Sequence, residues 1–314
     1  VSRILITTDY LKPGDSVDQL LREHGHEPVY APFGGQRQEG EIQQLLGGVS
    51  AAILASEPVT AKNLEGAEDL KVIARSGVGY DSIDLAAARD KGIRVCYAPG
   101  TNHHSVAELA LGMIIASARN LVSVHNSVKE GNWPRQAGHE LRGSTLGIIG
   151  FGPSGRALAH LGLALGMNVL VHTSHPNDDI SGVEFVELES LLNRSDYVSL
   201  HTRANPQSPE LIGAHSFRSM KPTAVLINTA RGSLVDEEAL VDALEAGTIA
   251  AAALDVFDSE PLPVDSKLRN FDKVIVTSHL GGQTAEARER AGLAAAQEVI
   301  DVLQGKEPSH PVDF

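Results

Sequence analysis

The sequence has one cysteine, Cys96, and one tryptophan, Trp133, and aromatic residues make up only 4% of its 314 positions. A single thiol excludes an internal disulfide framework. That suits a reducing compartment, so cytoplasm is the expected location. No apolar run reaches the roughly 18 residues that a membrane span requires; the stretch at residues 109–118 is too short. The first eight residues, Val1 to Thr8, read as a strand rather than a signal peptide. Positive charge is scarce too: 26 Lys and Arg against 40 Asp and Glu leave a net charge of -14. Nucleic acid is a poor partner for such a chain, because a phosphate-binding surface needs clustered cations. No metal is expected, since His103-His104 have no third ligand at suitable spacing, and His24 and His26, which follow a helix, read as surface residues.

What is present is the composition of a globular protein, with 42% hydrophobic residues, and a length that implies two domains. The most informative stretch is residues 146–155, Leu-Gly-Ile-Ile-Gly-Phe-Gly-Pro-Ser-Gly. An apolar run suited to a buried strand leads into Gly150, Gly152 and Gly155 at G-x-G-x-x-G spacing. A helix is expected over residues 156–165. The first glycine permits a tight turn, the second lets backbone approach a diphosphate, and the third lets helix and strand pack closely. Amides at the helix start would hold that diphosphate.

Strands are expected at residues 4–8, 27–31, 51–55, 71–74 and 93–97, with helices at 15–24, 41–46 and 85–91, the last closed by Gly92. Tyr97-Ala98-Pro99-Gly100 is a breaker. Ser105 with Glu108 predicts a capping box that opens a long helix to about residue 120. A second series has strands at 146–149, 169–172, 197–201, 224–228, 251–256 and 274–277, with a helix at 236–246 and a last one at 285–304. Gly292 inside that last helix reads as a tolerated flaw. Alternating strands and helices imply two doubly wound parallel sheets, with a ligand beyond the carboxyl ends of their strands.

Three strands of the second series lead into unusual polar residues: Arg231 after 224–228, Glu260 after 251–256 and His279 after 274–277. Parallel strands bring these tips to one edge. An Arg fork suits a carboxylate, and a His beside a carboxylate is suited to hold and deliver a proton. Beside a dinucleotide site, this set suggests reduction of a 2-keto acid.

At this point the chain resembles the D-isomer-specific 2-hydroxyacid dehydrogenases, close to phosphoglycerate dehydrogenase-like and glyoxylate/hydroxypyruvate reductase-like members. The resemblance rests on residues 76–84 (SGVGYDSID), 105–108 (SVAE), the glycine stretch, 228–232 (NTARG), 254–257 (LDVF) with Glu260-Pro261, and 278–282 (SHLGG). It implies a flavodoxin-like substrate domain of residues 1–98 plus 285–314 and a Rossmann cofactor domain of residues 99–284. It implies His279 as general acid/base, Glu260 as its partner, Arg231 as the clamp on the substrate carboxylate, and N–H groups of Val78 and Gly79 as substrate donors. For the cofactor it implies Pro153 and Ser154 at the diphosphate, Thr202, Thr229 and Ala230 as lining, and Asp255 on the nicotinamide carboxamide. Arg231, His279 and Gly281 border the cofactor as well. Members are usually homodimers through the cofactor domain, and Trp133 is a candidate interface residue.

Two departures matter. The NAD fingerprint expects an acidic residue about 20 positions on, but the stretch here is His172-Thr173-Ser174-His175. No carboxylate stands there to repel a 2′-phosphate, and Thr173, Ser174 and His175 offer hydrogen bonds to one, so NADP is favoured slightly over NAD. Ala55 stands where phosphoglycerate dehydrogenases carry an Arg, Glu57 is expected to repel a phosphate, and no regulatory domain is expected after residue 314. The expected substrate is a small unphosphorylated 2-keto acid or D-2-hydroxy acid of the glyoxylate or hydroxypyruvate type. The alternatives are a 3-phosphoglycerate dehydrogenase and a dinucleotide-sensing corepressor-like protein of the same family. Glu260 speaks against a formate dehydrogenase.

Overall fold

In a computed structural model, residues 1–34, 37–38, 40–176, 180–204 and 210–313 are described. The chain divides into two compact units, Val1–Asn102 with Gly282–Phe314, and His103–Gly281. The breaker at residues 97–100 stays with the first unit, where Ala98 N–H donates to the Gly77 carbonyl at 2.9 Å.

The first unit is built on β1 (Arg3–Ile6), β2 (Glu27–Tyr30), β3 (Ala51–Leu54), β4 (Val72–Arg75) and β5 (Arg94–Cys96). They form one parallel sheet in the order β2-β1-β3-β4-β5. All of β3 and β4 is buried, which is why Ala51–Leu54 and Val72–Ala74 are unbroken apolar runs rather than alternating ones; Arg75 is the one buried charge at the end of β4. Asp15 and Asp84 cap the helices Ser16–Glu23 and Leu85–Asp90 by accepting backbone N–H groups, and Gly92 follows the second at φ +69°. The Cys96 thiol is buried on β5 and desolvation pushes it up to about 12, so it is not a reactive thiol.

Helix Ala285–Leu303 packs Ala295, Ala296, Val299 and Ile300 into the core formed by Ile4, Ile6, Ala51 and Val72. Its small residues permit close approach. Gly292 is not the flaw its sequence position suggests: a Cβ there would lie 2.9 Å from Leu11 Cδ2 and 3.1 Å from Val17 Cγ2. The helix needs a gap in its side-chain surface at that point.

The second unit carries β6 (Thr145–Ile149), β7 (Asn168–His172), β8 (Val183–Phe185), β9 (Tyr197–Leu200), β10 (Val225–Asn228), β11 (Ala251–Leu254) and β12 (Val274–Val276). The parallel order is β12-β11-β10-β9-β6-β7-β8. Strand order reverses between β6 and β9, the point at which doubly wound sheets bind ligands. Edge strand β8 is absent from the strands expected above, because its three residues are too few to show a periodicity.

The long helix expected after Ser105 is two, His103–Ala118 and Leu121–Lys129, bent by 64° at Asn120, whose φ is +52°. Ser105 lies inside the first turn, so the expected capping box does not form. The glycine-loop helix is Pro153–Ala164, with Pro at its first position and Gly152 as its cap. Among the described residues no single helix is long and apolar enough to cross a membrane.

A Gly292→Leu substitution improves helix propensity but overfills the seam against Leu11 and Val17. The expected result is a loss of about 1–3 kcal/mol, read as a lower urea midpoint; a gain in stability would show that the seam is not tight.

Candidate functional site

The polar residues after β10, β11 and β12 stand on three adjacent strands of the second unit. After β10, the Asn228 side chain accepts from Ala230 N at 3.0 Å and donates to the Arg231 carbonyl at 2.7 Å, folding the turn that carries Arg231. Gly232 follows because a Cβ there would run into the backbone of Phe257 and Asp258, so the turns after β10 and β11 lie directly against each other. After β11, Glu260 Oε1 accepts from Phe257 N at 3.1 Å, and Oε2 accepts from His279 Nδ1 at 2.8 Å. Partial burial acts to raise the Glu260 carboxyl. The hydrogen bond and charge of His279, the Phe257 N–H and the Arg231 charge outweigh it and hold the group below its ordinary value. Glu260 is therefore a carboxylate near neutral pH, and it engages Nδ1 of His279, leaving Nε2 as the nitrogen available for proton transfer.

Asp255 places His279. Its side chain is fully buried, with Oδ1 accepting from Thr277 Oγ1 at 2.5 Å and Leu280 N at 2.7 Å, and Oδ2 from Gly281 N at 2.8 Å. Asp255 O also accepts from His279 N at 2.9 Å. This wraps the chain after β12 into a tight turn and holds His279 at φ +58°, a left-handed conformation uncommon for a residue with a side chain. Asp255 thus acts here on the turn, a role that its place in the sequence does not reveal.

The glycine loop follows β6 at the switch point. Gly150 adopts φ +96°, and a Cβ there would strike the His201 carbonyl; one on Gly155 would strike the Gly150 carbonyl. Gly152 is different, because a Cβ there meets nothing within 4 Å. The N–H groups of Ser154 and Gly155 have no acceptor among the described residues. Thr202 N lies 2.7 Å from the place a Gly150 Cβ would take, so this residue borders the loop. Behind the loop, His201 hydrogen-bonds Ser154 Oγ at 3.1 Å and Ser199 Oγ at 2.9 Å. Burial pulls its imidazole down to about 4, so it is neutral near pH 7. A histidine directly after a strand is the only sequence signal that marks it.

After β7, His175 N donates to Thr173 Oγ1 at 3.2 Å and Ser174 Oγ bonds His175 Nδ1 at 2.7 Å, while Ser174 and His175 remain exposed. Thr229 Oγ1 and the turn at Ala230 stand after β10, the hydroxyl buried without a partner among the described residues.

In the first unit, residues 76–79 follow β4. Arg75 Nε donates to the Gly79 carbonyl at 3.0 Å and its Nη1 to the Leu54 carbonyl at 3.1 Å. With those carbonyls held, Val78 and Gly79 keep N–H groups that have no acceptor among the described residues. Glu57 does not behave as its sequence position suggests. It is 2% exposed, and Arg37 Nη2 approaches its Oε1 at 3.4 Å. A buried carboxylate beside a guanidinium is compensated, so the expected repulsion of a phosphate by Glu57 is not supported; Ala55 still offers no cation.

The family model of the D-isomer-specific 2-hydroxyacid dehydrogenase NAD-binding domain matches residues 111–281. The chain belongs to this family. It is 40% identical over 273 residues to a hydroxypyruvate reductase of Thermotoga maritima, covering 85% of this chain and 89% of that protein. It is 37% identical to a glyoxylate reductase of Korarchaeum cryptofilum, covering 83% and 81%. A D-3-phosphoglycerate dehydrogenase of Methanocaldococcus jannaschii is 38% identical, and the chain spans 59% of its length. Among solved structures, the TT0316 protein of Thermus thermophilus superposes with a TM-score of 0.91 at 38% identity, covering 99% of this chain and all of that one.

The dehydrogenase therefore uses a nicotinamide cofactor, and the residues present fit one. Open space before Gly152, two N–H donors at a helix start and the unpartnered Thr229 hydroxyl are what a dinucleotide requires.

Asp255→Ala would strand the Leu280 and Gly281 N–H groups. A loss of about 2–4 kcal/mol is expected from hydrogen bonds to a charged group, together with loss of turnover. Unchanged urea stability would show that the turn does not depend on this carboxylate.

Proposed function

We propose that this dehydrogenase reduces a small unphosphorylated 2-keto acid, of the glyoxylate or hydroxypyruvate type, to the D-2-hydroxy acid. The observation that carries the proposal is the His279–Glu260 pair beside Arg231, on adjacent strand ends of a unit built to hold a dinucleotide. The names of the Thermotoga and Korarchaeum relatives support the substrate class. Ala55 supports the absence of a phosphate.

In this reading Arg231 binds the substrate carboxylate through its planar fork, and the Val78 and Gly79 N–H groups are further substrate donors. The hydride that the keto carbon accepts would come from a reduced nicotinamide when that cofactor is bound. Protonated His279, held through Nδ1 by Glu260, delivers a proton from Nε2 to the keto oxygen. In the reverse direction neutral His279 accepts that proton, and Glu260 stabilises the charged ring. The cations at the strand ends stabilise the alkoxide character that develops on the oxygen.

The N–H groups of Ser154 and Gly155, just after Pro153, would hold the diphosphate, and Thr202, Thr229, Ala230 and Gly281 would line the cofactor. Asp255 is the residue proposed for the nicotinamide carboxamide, and it also fixes the turn of His279 and Gly281. NADP is favoured slightly over NAD, because β7 ends in Thr173, Ser174 and His175, with no carboxylate to repel a 2′-phosphate. The first unit is proposed as the substrate domain and the second as the cofactor domain, and a reducing cytoplasm as the compartment.

A homodimer through the second unit is also proposed. Helix Leu121–Lys129 buries none of its residues, and Leu121, Val122 and Val128 are exposed. Trp133, in the segment that follows, is 81% exposed. Covering these groups would remove apolar surface from water.

A panel of 2-keto acids with NADPH and NADH tests the substrate and cofactor assignments. Glyoxylate or hydroxypyruvate should give the highest kcat/KM, with NADPH preferred; preference for a phosphorylated acid or a strong NADH preference would reverse the respective assignment. His279→Ala should lower kcat at least ~100-fold, and unchanged turnover would remove it from the mechanism. Sedimentation should give twice the chain mass, with Trp133→Glu shifting the protein toward monomer; a monomeric wild type rejects the interface.

A further inference from the structure

Behind the glycine loop, three side chains form a line from the sheet to the start of helix Pro153–Ala164. Ser199 is fully buried on β9, His201 is buried just beyond its end, and Ser154 is the second residue of the helix. Ser199 Oγ lies 2.9 Å from His201 Nε2, and Ser154 Oγ lies 3.1 Å from His201 Nδ1. The backbone and Cβ from which the imidazole projects are fixed. His201 N donates to the Ile149 carbonyl at 2.7 Å, and its Cβ sits 3.3 Å from the place a Gly155 Cβ would take.

We infer that Ser199, His201 and Ser154 form a hydrogen-bond relay of fixed direction, which leaves the Ser154 hydroxyl as a donor for the diphosphate of the bound dinucleotide and makes His201 a positioning residue of the cofactor site. The inference rests on the reading that the glycine loop holds that diphosphate.

The direction follows from satisfying buried groups. The Ser199 hydroxyl has no acceptor other than His201 Nε2 among the described residues. A buried donor left unpaired is costly, so Ser199 donates to Nε2. A neutral imidazole that accepts at Nε2 carries its hydrogen on Nδ1. Nδ1–H then donates to Ser154 Oγ, and the Ser154 hydroxyl proton is not consumed inside the protein. Loss of solvation keeps His201 neutral near pH 7, so the ring keeps one donor and one acceptor. With the opposite tautomer, Ser154 would direct its proton at His201 and offer an anion only lone pairs. The relay turns an ambivalent hydroxyl into a third donor beside the Ser154 and Gly155 N–H groups.

The test combines imidazole nitrogen NMR of the cofactor-free protein with fluorescence titration of NADPH and NADH. His201, assigned by loss of its signals in His201→Gln, should appear as the neutral Nδ1–H tautomer at pH 7; the Nε2–H tautomer overturns the inference. Ser154→Ala should raise the cofactor Kd about tenfold, the scale of one hydrogen bond to a charged acceptor. Ser199→Ala should raise it about threefold in the wild-type background and leave it unchanged in the Ser154→Ala background. Effects that simply multiply would indicate a structural role and overturn the relay. Gly152→Val, which puts a side chain into the open space before the loop, should fold and lose cofactor affinity. If it does so while Ser154→Ala and Ser199→Ala bind normally, the relay alone falls; if Gly152→Val binds normally, the placement of the diphosphate falls and the relay with it.

Discussion

The buried carboxylate of Asp255 is the constraint on which the catalytic edge depends. It is anchored by the register of β11 with β10 and satisfied by a hydroxyl and two backbone N–H groups of the chain leaving β12. Without that acceptor, the left-handed conformation of His279 would have little to maintain it. With it, the imidazole meets Glu260 on the neighbouring strand end, and one nitrogen is committed before any substrate arrives. Such preorganisation removes orientational freedom from the proton-transfer step.

A comparable division of roles holds at the glycine loop. Gly150 and Gly155 are required by the chain's own backbone, since His201 and Gly150 occupy the volume that a side chain would need. Gly152 faces open space and is required only if something else comes close. One motif therefore contains two structural glycines and one that makes sense only with a ligand. His201 serves both purposes, packing against the loop through its backbone and Cβ and reaching Ser154 through its ring.

The chain's net charge of -14 means that a small anionic acid must be attracted locally rather than by the molecule as a whole. Arg231 is the residue proposed for that attraction in the second unit. In the first, Arg75 is largely buried, and its bonds to two backbone carbonyls hold the loop that leaves the Val78 and Gly79 N–H groups open. Arg37 offsets Glu57 rather than offering itself to an anion. The case for an unphosphorylated substrate thus rests on what is missing at Ala55, not on repulsion by Glu57.

Residue order alone determined the two βα series, the glycine turn and the polar residues at three strand ends, because these depend on local periodicity and on spacing along one chain. Even Arg231, Glu260 and His279 were legible as a set, since parallel strands deliver their carboxyl ends to one edge. Other features were decided only by tertiary packing. The seam that requires Gly292 is made by Leu11 and Val17, far away in sequence. The helix break at Asn120 and the three-residue strand β8 carry too little periodicity to be read. The burial of Glu57 beside Arg37, the capture of the His279 turn by Asp255 and the contact of His201 with Ser154 each join residues that no spacing rule connects. A side chain's partner, and therefore its charge state and hydrogen-bond direction, is a property of the packed neighbourhood.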